Sequence, residues 1–162
     1  MTTSQLLEKM VAYSKSSIHD IDHFIRVWAY AKTIGELEKL DLETQYVLEA
    51  AAITHDIACP FCREKYGRAD WKDQEAEGPA LAEAFFDGSG MSREQIERVK
   101  YLIGHHHTFT DIDGMDYQIL IEADYIVNAQ EKGFGPQTIR DFTEKTMKTE
   151  AGKRICRLVF GI

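Results

Sequence analysis

Six histidines, at positions 19, 23, 55, 105, 106 and 107, are the residues of this chain best suited to chemistry, and none falls in its last third. Two aspartates join them for a physical reason. Asp56 closes a run in which Val47, Leu48, Ala50, Ala51, Ala52 and Ile53 are apolar nearly all round, and Asp124 sits among Ile119, Leu120, Ile121, Ala123, Ile126 and Val127. A carboxylate on a face that should be buried costs several kcal/mol unless it is paired or bound to a cation. Neutral imidazoles and ionised carboxylates together are what a borderline or hard divalent metal takes as ligands. Each residue taken singly also has a structural reading. An aspartate can satisfy its own loop amides, and a histidine can be hydrogen-bonded within a core.

Hydrophobic spacing supplies the elements that must position these groups. Apolar residues recur at helical intervals from about Ser4 to Tyr13 and again from Ser17 to about Leu40. On the second helix His19, His23, Arg26 and Tyr30 form a polar stripe beside Ile21, Phe24, Ile25 and Trp28. Asp41 is placed to cap a third helix that runs to about His55. Pro60 and Gly67 interrupt the pattern from Asp56 to Trp71, which is expected to be a loop. A helix from about Asp73 to Phe86 stops at Asp87-Gly88-Ser89-Gly90, and Ser92 with Gln95 forms a capping box for the next. Ile96, Val99 and Ile103 on that helix lead in phase to His106. His106 is therefore expected to face inward, with His105 second and with His107 and His19 at the periphery. Thr108 to Gly114 is expected to loop, Asp116 to about Glu131 to be helical, and one or two helices to follow the break at Gly133–Pro136. The expectation is an all-α bundle of six to eight helices forming one domain over residues 1–162, with a central site between helices.

Composition narrows the function. Lys and Arg number 19 against 27 Asp and Glu, a formal charge of −8, which argues against a broad nucleic-acid-binding face. One small phosphorylated ligand is compatible with it. No apolar run approaches the ~20 residues of a membrane span. The first residues lack the basic and apolar stretches of a secretory signal, and three cysteines do not make a disulfide framework, so a cytoplasmic setting is expected. The sequence carries no reading of oligomeric state.

The order His23, His55-Asp56, Asp124 resembles the HD-domain superfamily of metal-dependent phosphohydrolases. Around it, His23-Phe24-Ile25-Arg26-Val27 is similar to that family's first-histidine motif, and Ala51-Ala52-Ile53-Thr54-His55-Asp56-Ile57 to its His-Asp helix. Glu77-Gly78-Pro79 and Glu122-Ala123-Asp124 resemble its later blocks, so the likeness spans about residues 17–128. The resemblance implies an all-α fold and one divalent metal, of the set Fe, Mn, Zn, Co, Ni or Mg, held by His23, His55, Asp56 and Asp124. A second metal is not favoured, because Gln74 and Glu75 stand where many two-metal relatives carry a further histidine. Pro60 replaces a lysine that some relatives have four residues after the Asp of the doublet.

The implied reaction is hydrolysis of a phosphoester of a small molecule, a nucleotide or a related phosphate. Asp56 would orient the attacking water or accept its proton, and His106 or His105 would stabilise phosphate charge or protonate the leaving oxygen. Arg26 would orient a ligand, pair with a carboxylate or bind phosphate. Two rivals stand beside this. One is a metal- or nucleotide-binding sensor without turnover. The other is redox chemistry at Cys59-Pro60-Phe61-Cys62, which has the C-x-x-C spacing but not the α/β setting in which such motifs normally work.

Overall fold

The computed structural model describes residues 1–162 and contains nine helices and no strand. They are α1 (Thr3–Tyr13), α2 (Ile18–Leu37), α3 (Leu42–Thr54), α4 (Cys59–Tyr66), α5 (Trp71–Phe86), α6 (Arg93–Ile103), α7 (Met115–Lys132), α8 (Pro136–Lys145) and α9 (Glu150–Phe160). Their starts follow local chemistry. Asp41 accepts from the amides of Glu43 and Thr44, and Ser92 and Gln95 exchange the two bonds of a capping box. The one helix the sequence reading omits is α4, where a loop was expected. Its proline lies in the first turn, where no amide is needed, and Gly67 closes it with a left-handed φ of 73°. Pro60 and Gly67 thus bound a helix instead of preventing one.

Two helices form the centre. α3 buries every residue from Val47 to Thr54, and α7 buries all from Asp116 to Val127 together with Ala129. α2 packs against both, and α6 packs against α3. The alanine run Ala50-Ala51-Ala52 lets these neighbours approach, while Leu48, Ile53, Leu120 and Ile126 fill the space between them in one cluster of 32 buried residues. Each such branched side chain contributes about 1.5–3 kcal/mol by leaving water. α5 meets the end of α6 closely, since a Cβ on Gly78 would lie 2.5 Å from Ile103 Cγ2. That approach fixes the turn that follows Ile103 and carries the three consecutive histidines.

Candidate metal centre

Four elements bring their polar residues to one point. His23 comes from the first half of α2, His55 and Asp56 from the turn ending α3, Asp124 from the middle of α7, and His106 from the turn after α6. His23 Nε2 lies 3.1 Å from His55 Nε2 and 3.2 Å from Asp124 Oδ1. Asp56 Oδ2 is 3.5 Å from His23 Nε2 and 3.6 Å from His55 Nε2, and Asp124 Oδ1 is 3.5 Å from His55 Nε2. His23, His55, His106 and Asp124 are buried, whereas 23% of the Asp56 side chain is exposed. Access from solvent therefore runs past Asp56.

The hydrogen bonds at the back of each ring decide what these atoms are. His55 Nδ1 donates to the carbonyl of Ala52 at 2.9 Å, and His106 Nδ1 to that of Ile103 at 2.8 Å. His23 Nδ1 donates to Glu131 Oε2 at 3.0 Å. With the proton on Nδ1, each neutral ring points an Nε2 lone pair inward. The centre is then a group of acceptors facing acceptors. His106 Nε2 states the problem most plainly: it is buried, has no hydrogen-bond partner, and sits 3.5 Å from Asp56 Oδ1. Only a cation or added protons relieve such a set.

Metal geometry fits it. Ligands at ~2.1 Å from an ion stand ~3.0 Å apart at right angles and ~3.4 Å apart at the tetrahedral angle. The separations of 3.1 to 3.6 Å run from just above the first value to just above the second. Electrostatics agree. Burial opposes charge on His23, but its bond to Asp124 and the charges of Asp56 and Glu131 override this and push it up to about 9. Burial likewise works against ionised Asp56 and Asp124, yet the surrounding histidines hold both below the usual carboxylate range. In the metal-free protein, protons on the imidazoles occupy the cation's role.

The remaining candidates divide. Arg26 does not enter the centre; its guanidinium pairs with Glu131, which in turn holds His23. His105 turns away, bonding the Tyr101 carbonyl through Nδ1 at 2.7 Å and stacking on the Tyr101 ring. His107, expected at the periphery, instead groups with Asp56 and His106 as a second set of donors, and its Nε2 faces Gln74 Oε1 at 3.4 Å. Burial and the neighbouring His106 push His107 down to about 4, so its ring is neutral at pH 7. His19 is exposed. Cys59 and Cys62 are buried free thiols, and burial raises both above the ordinary thiol range, the opposite of a reactive thiolate.

Two positioning residues escaped the sequence reading. Asn128 donates to Asp124 Oδ1 at 2.8 Å, and Glu131 anchors His23. Both follow Asp124 on its own helical face, four and seven residues on, and that spacing was the available signal.

The sequence matches the HD domain family over residues 20–157. The chain belongs to the HD domain family. A solved structure, a predicted HD superfamily hydrolase from an uncultured Thermotogales bacterium, superposes on this HD domain with a TM-score of 0.71 at 26% identity, covering 98% of this chain and 84% of that one. No curated protein matches the sequence. No helix of this HD domain is long and apolar enough to cross a membrane.

Proposed function

We propose that this HD domain is a metal-dependent phosphohydrolase acting on a phosphoester of a small molecule, with nucleotides within that class. The observation that carries the proposal is the pair of inward lone pairs of His23 and His55, whose Nε2 atoms lie 3.1 to 3.6 Å from each other and from a carboxylate oxygen of both Asp56 and Asp124. These four residues would hold one divalent ion, which supplies Lewis acidity and a water of lowered pKa. Asp56 is the partly exposed ligand, so it is the carboxylate that can orient a nucleophilic water and take its proton. Glu131 fixes the ring of His23 and raises its basicity, and Arg26 holds Glu131 in turn. His106 faces the other oxygen of Asp56 and steadies that carboxylate when its Nε2 carries a proton.

The group Asp56, His106 and His107 favours a second reading, in which Asp56 bridges to a further cation. Metal content per chain separates the two, one ion supporting the first reading and two the second.

The test of function is phosphate release by protein reconstituted with Mn, Fe, Co, Ni, Zn or Mg, against nucleoside monophosphates, sugar phosphates and simple alkyl and aryl phosphates. Turnover with at least one ion, lost in Asp56→Ala, is the expected result. A metal-loaded protein inert toward all of them, yet raised in Tm by a nucleotide, would be a sensor.

A further inference from the structure

A cavity of about 210 Å³ opens directly beside the centre and shares two residues with it, Asp124 and His107. Its other walls are unlike the centre. Tyr125 and Phe142 stack face to face with centroids 3.5 Å apart, Phe109 meets Phe142 edge-on at 5.6 Å, and Phe134 lies 6.0 Å from Tyr125. Ile121, Asn128 and Lys132 also line it, and the Asn128 amide is committed to Asp124.

Phe109 is half exposed, on the irregular segment between α6 and α7, with one edge on the pocket. An aromatic ring left in water at the mouth of an aromatic cavity gains by covering a flat apolar guest. The volume sets the guest's size, because pockets for drug-sized ligands run from about 300 to 1,000 Å³. This one has room for a single ring and a short link, and not for a sugar and a base together. A larger cleft, about 640 Å³ between the starts of α3, α6 and α7, presents Asp41, Glu43, Glu94 and Asp116, with Arg98 already paired to Asp113 and Asp116. Its carboxylates make it a poor host for a phosphoester.

We infer that the aromatic cavity between the loop after α6, α7 and α8 is the leaving-group pocket of the phosphohydrolase, selecting monophosphate esters whose alcohol carries one flat, uncharged ring within a bond or two of the ester oxygen. This rests on the proposed function for the position of the phosphate, and on the cavity alone for the ring. Asp124 and His107 mark the end of the pocket nearest the reacting phosphate. Tyr125, Phe134, Phe142 and Phe109 hold the ring.

Benzyl and ethyl phosphate test it, because their alcohols are similar leaving groups and differ in the ring. Binding is read separately from turnover, by calorimetry of the metal-loaded protein with benzylphosphonate and ethylphosphonate, which are not hydrolysed. The expectation is that benzylphosphonate binds about tenfold tighter, a margin set by aromatic contact. Phe109→Ala, an exposed position whose loss spares the core, should cut that ratio severalfold, and Phe142→Leu should do the same without emptying the site. In turnover the variants should raise KM for benzyl phosphate by a larger factor than KM for ethyl phosphate. Equal binding of the two phosphonates, or a ratio untouched by both variants, overturns the pocket while hydrolysis of both esters keeps the proposed function. A ring-dependent binding difference with no phosphate released from any ester keeps the pocket and overturns the hydrolase.

Discussion

Glu122 and Asp124 lie two residues apart on α7, both carboxylates and both buried, yet they do opposite things. Glu122 is surrounded by donors. Gln118 Nε2 at 2.8 Å, the amides of Lys148 at 2.7 Å and Thr149 at 3.1 Å, and the Thr149 hydroxyl all bond to it. It ties the turn between α8 and α9 to the central helix, and its charge is spent in doing so. Asp124 receives one amide, from Asn128, and otherwise faces the Nε2 atoms of His23 and His55, which are lone pairs toward a bound cation. Burial of a carboxylate is therefore not the mark of a functional site. The mark is burial among other acceptors, which the fold tolerates because something outside the chain completes the set.

Substitution at the two positions should separate them most sharply. Asp124→Ala is expected to lower the proposed phosphohydrolase activity by about 10³-fold or more, because a proposed ligand and its charge are lost together. The same change should cost the metal-free protein less stability than Glu122→Ala does, since at neutral pH it removes the pairing of Asp124 with protonated His23 and strands no backbone donors. Thermal melts with and without metal check this, and a large fall in metal-free Tm would make Asp124 a structural residue like Glu122.

Glu122→Ala should behave in reverse. It strands buried donors and is expected to cost about 2–4 kcal/mol of stability, measured by denaturant unfolding. Activity per folded molecule should hold. Glu131→Gln sits between the two, keeping the packing but weakening the anchor on His23. A loss of about 10–100-fold in metal affinity is expected, with little change in unfolding free energy.

The smallest effect concerns protons. In the metal-free protein His23 is pushed up to about 9, so at neutral pH an entering ion must displace its proton. Metal affinity should therefore rise with pH up to about 9, and fall by up to ~tenfold for each unit below it. Titrations in buffers of different ionisation enthalpy should show proton release on binding near neutral pH. Affinity that stays flat from about pH 6 to 9 would mean that the ion displaces no proton from His23.

Much of this was legible in the sequence because helical phase is local. His55, Asp56 and Asp124 could be read as inward from the apolar residues around them, while His23 stood on a polar stripe and was singled out by the resemblance; the structure places the Nε2 atoms of His23 and His55 3.1 to 3.6 Å from each other and from an oxygen of both aspartates. The histidine triplet was harder, because one residue turns the direction by ~100° only while the helix lasts. α6 ends at Ile103, so the phase that correctly aims His106 says nothing reliable of His105 and His107. α4 was missed because a proline at a helix start and a glycine at its end look like breakers when read without their positions. The aromatic pocket had no sequence signal at all. Phe109, Tyr125 and Phe142 meet only because a loop and two helices close on each other, and no period links them.

Elemental analysis of the purified protein, beside His55→Ala and Asp56→Ala, tests the central claim most directly. The account predicts a stoichiometric divalent metal in the natural chain and its loss in both folded variants. Metal retained at the same level in both would contradict it.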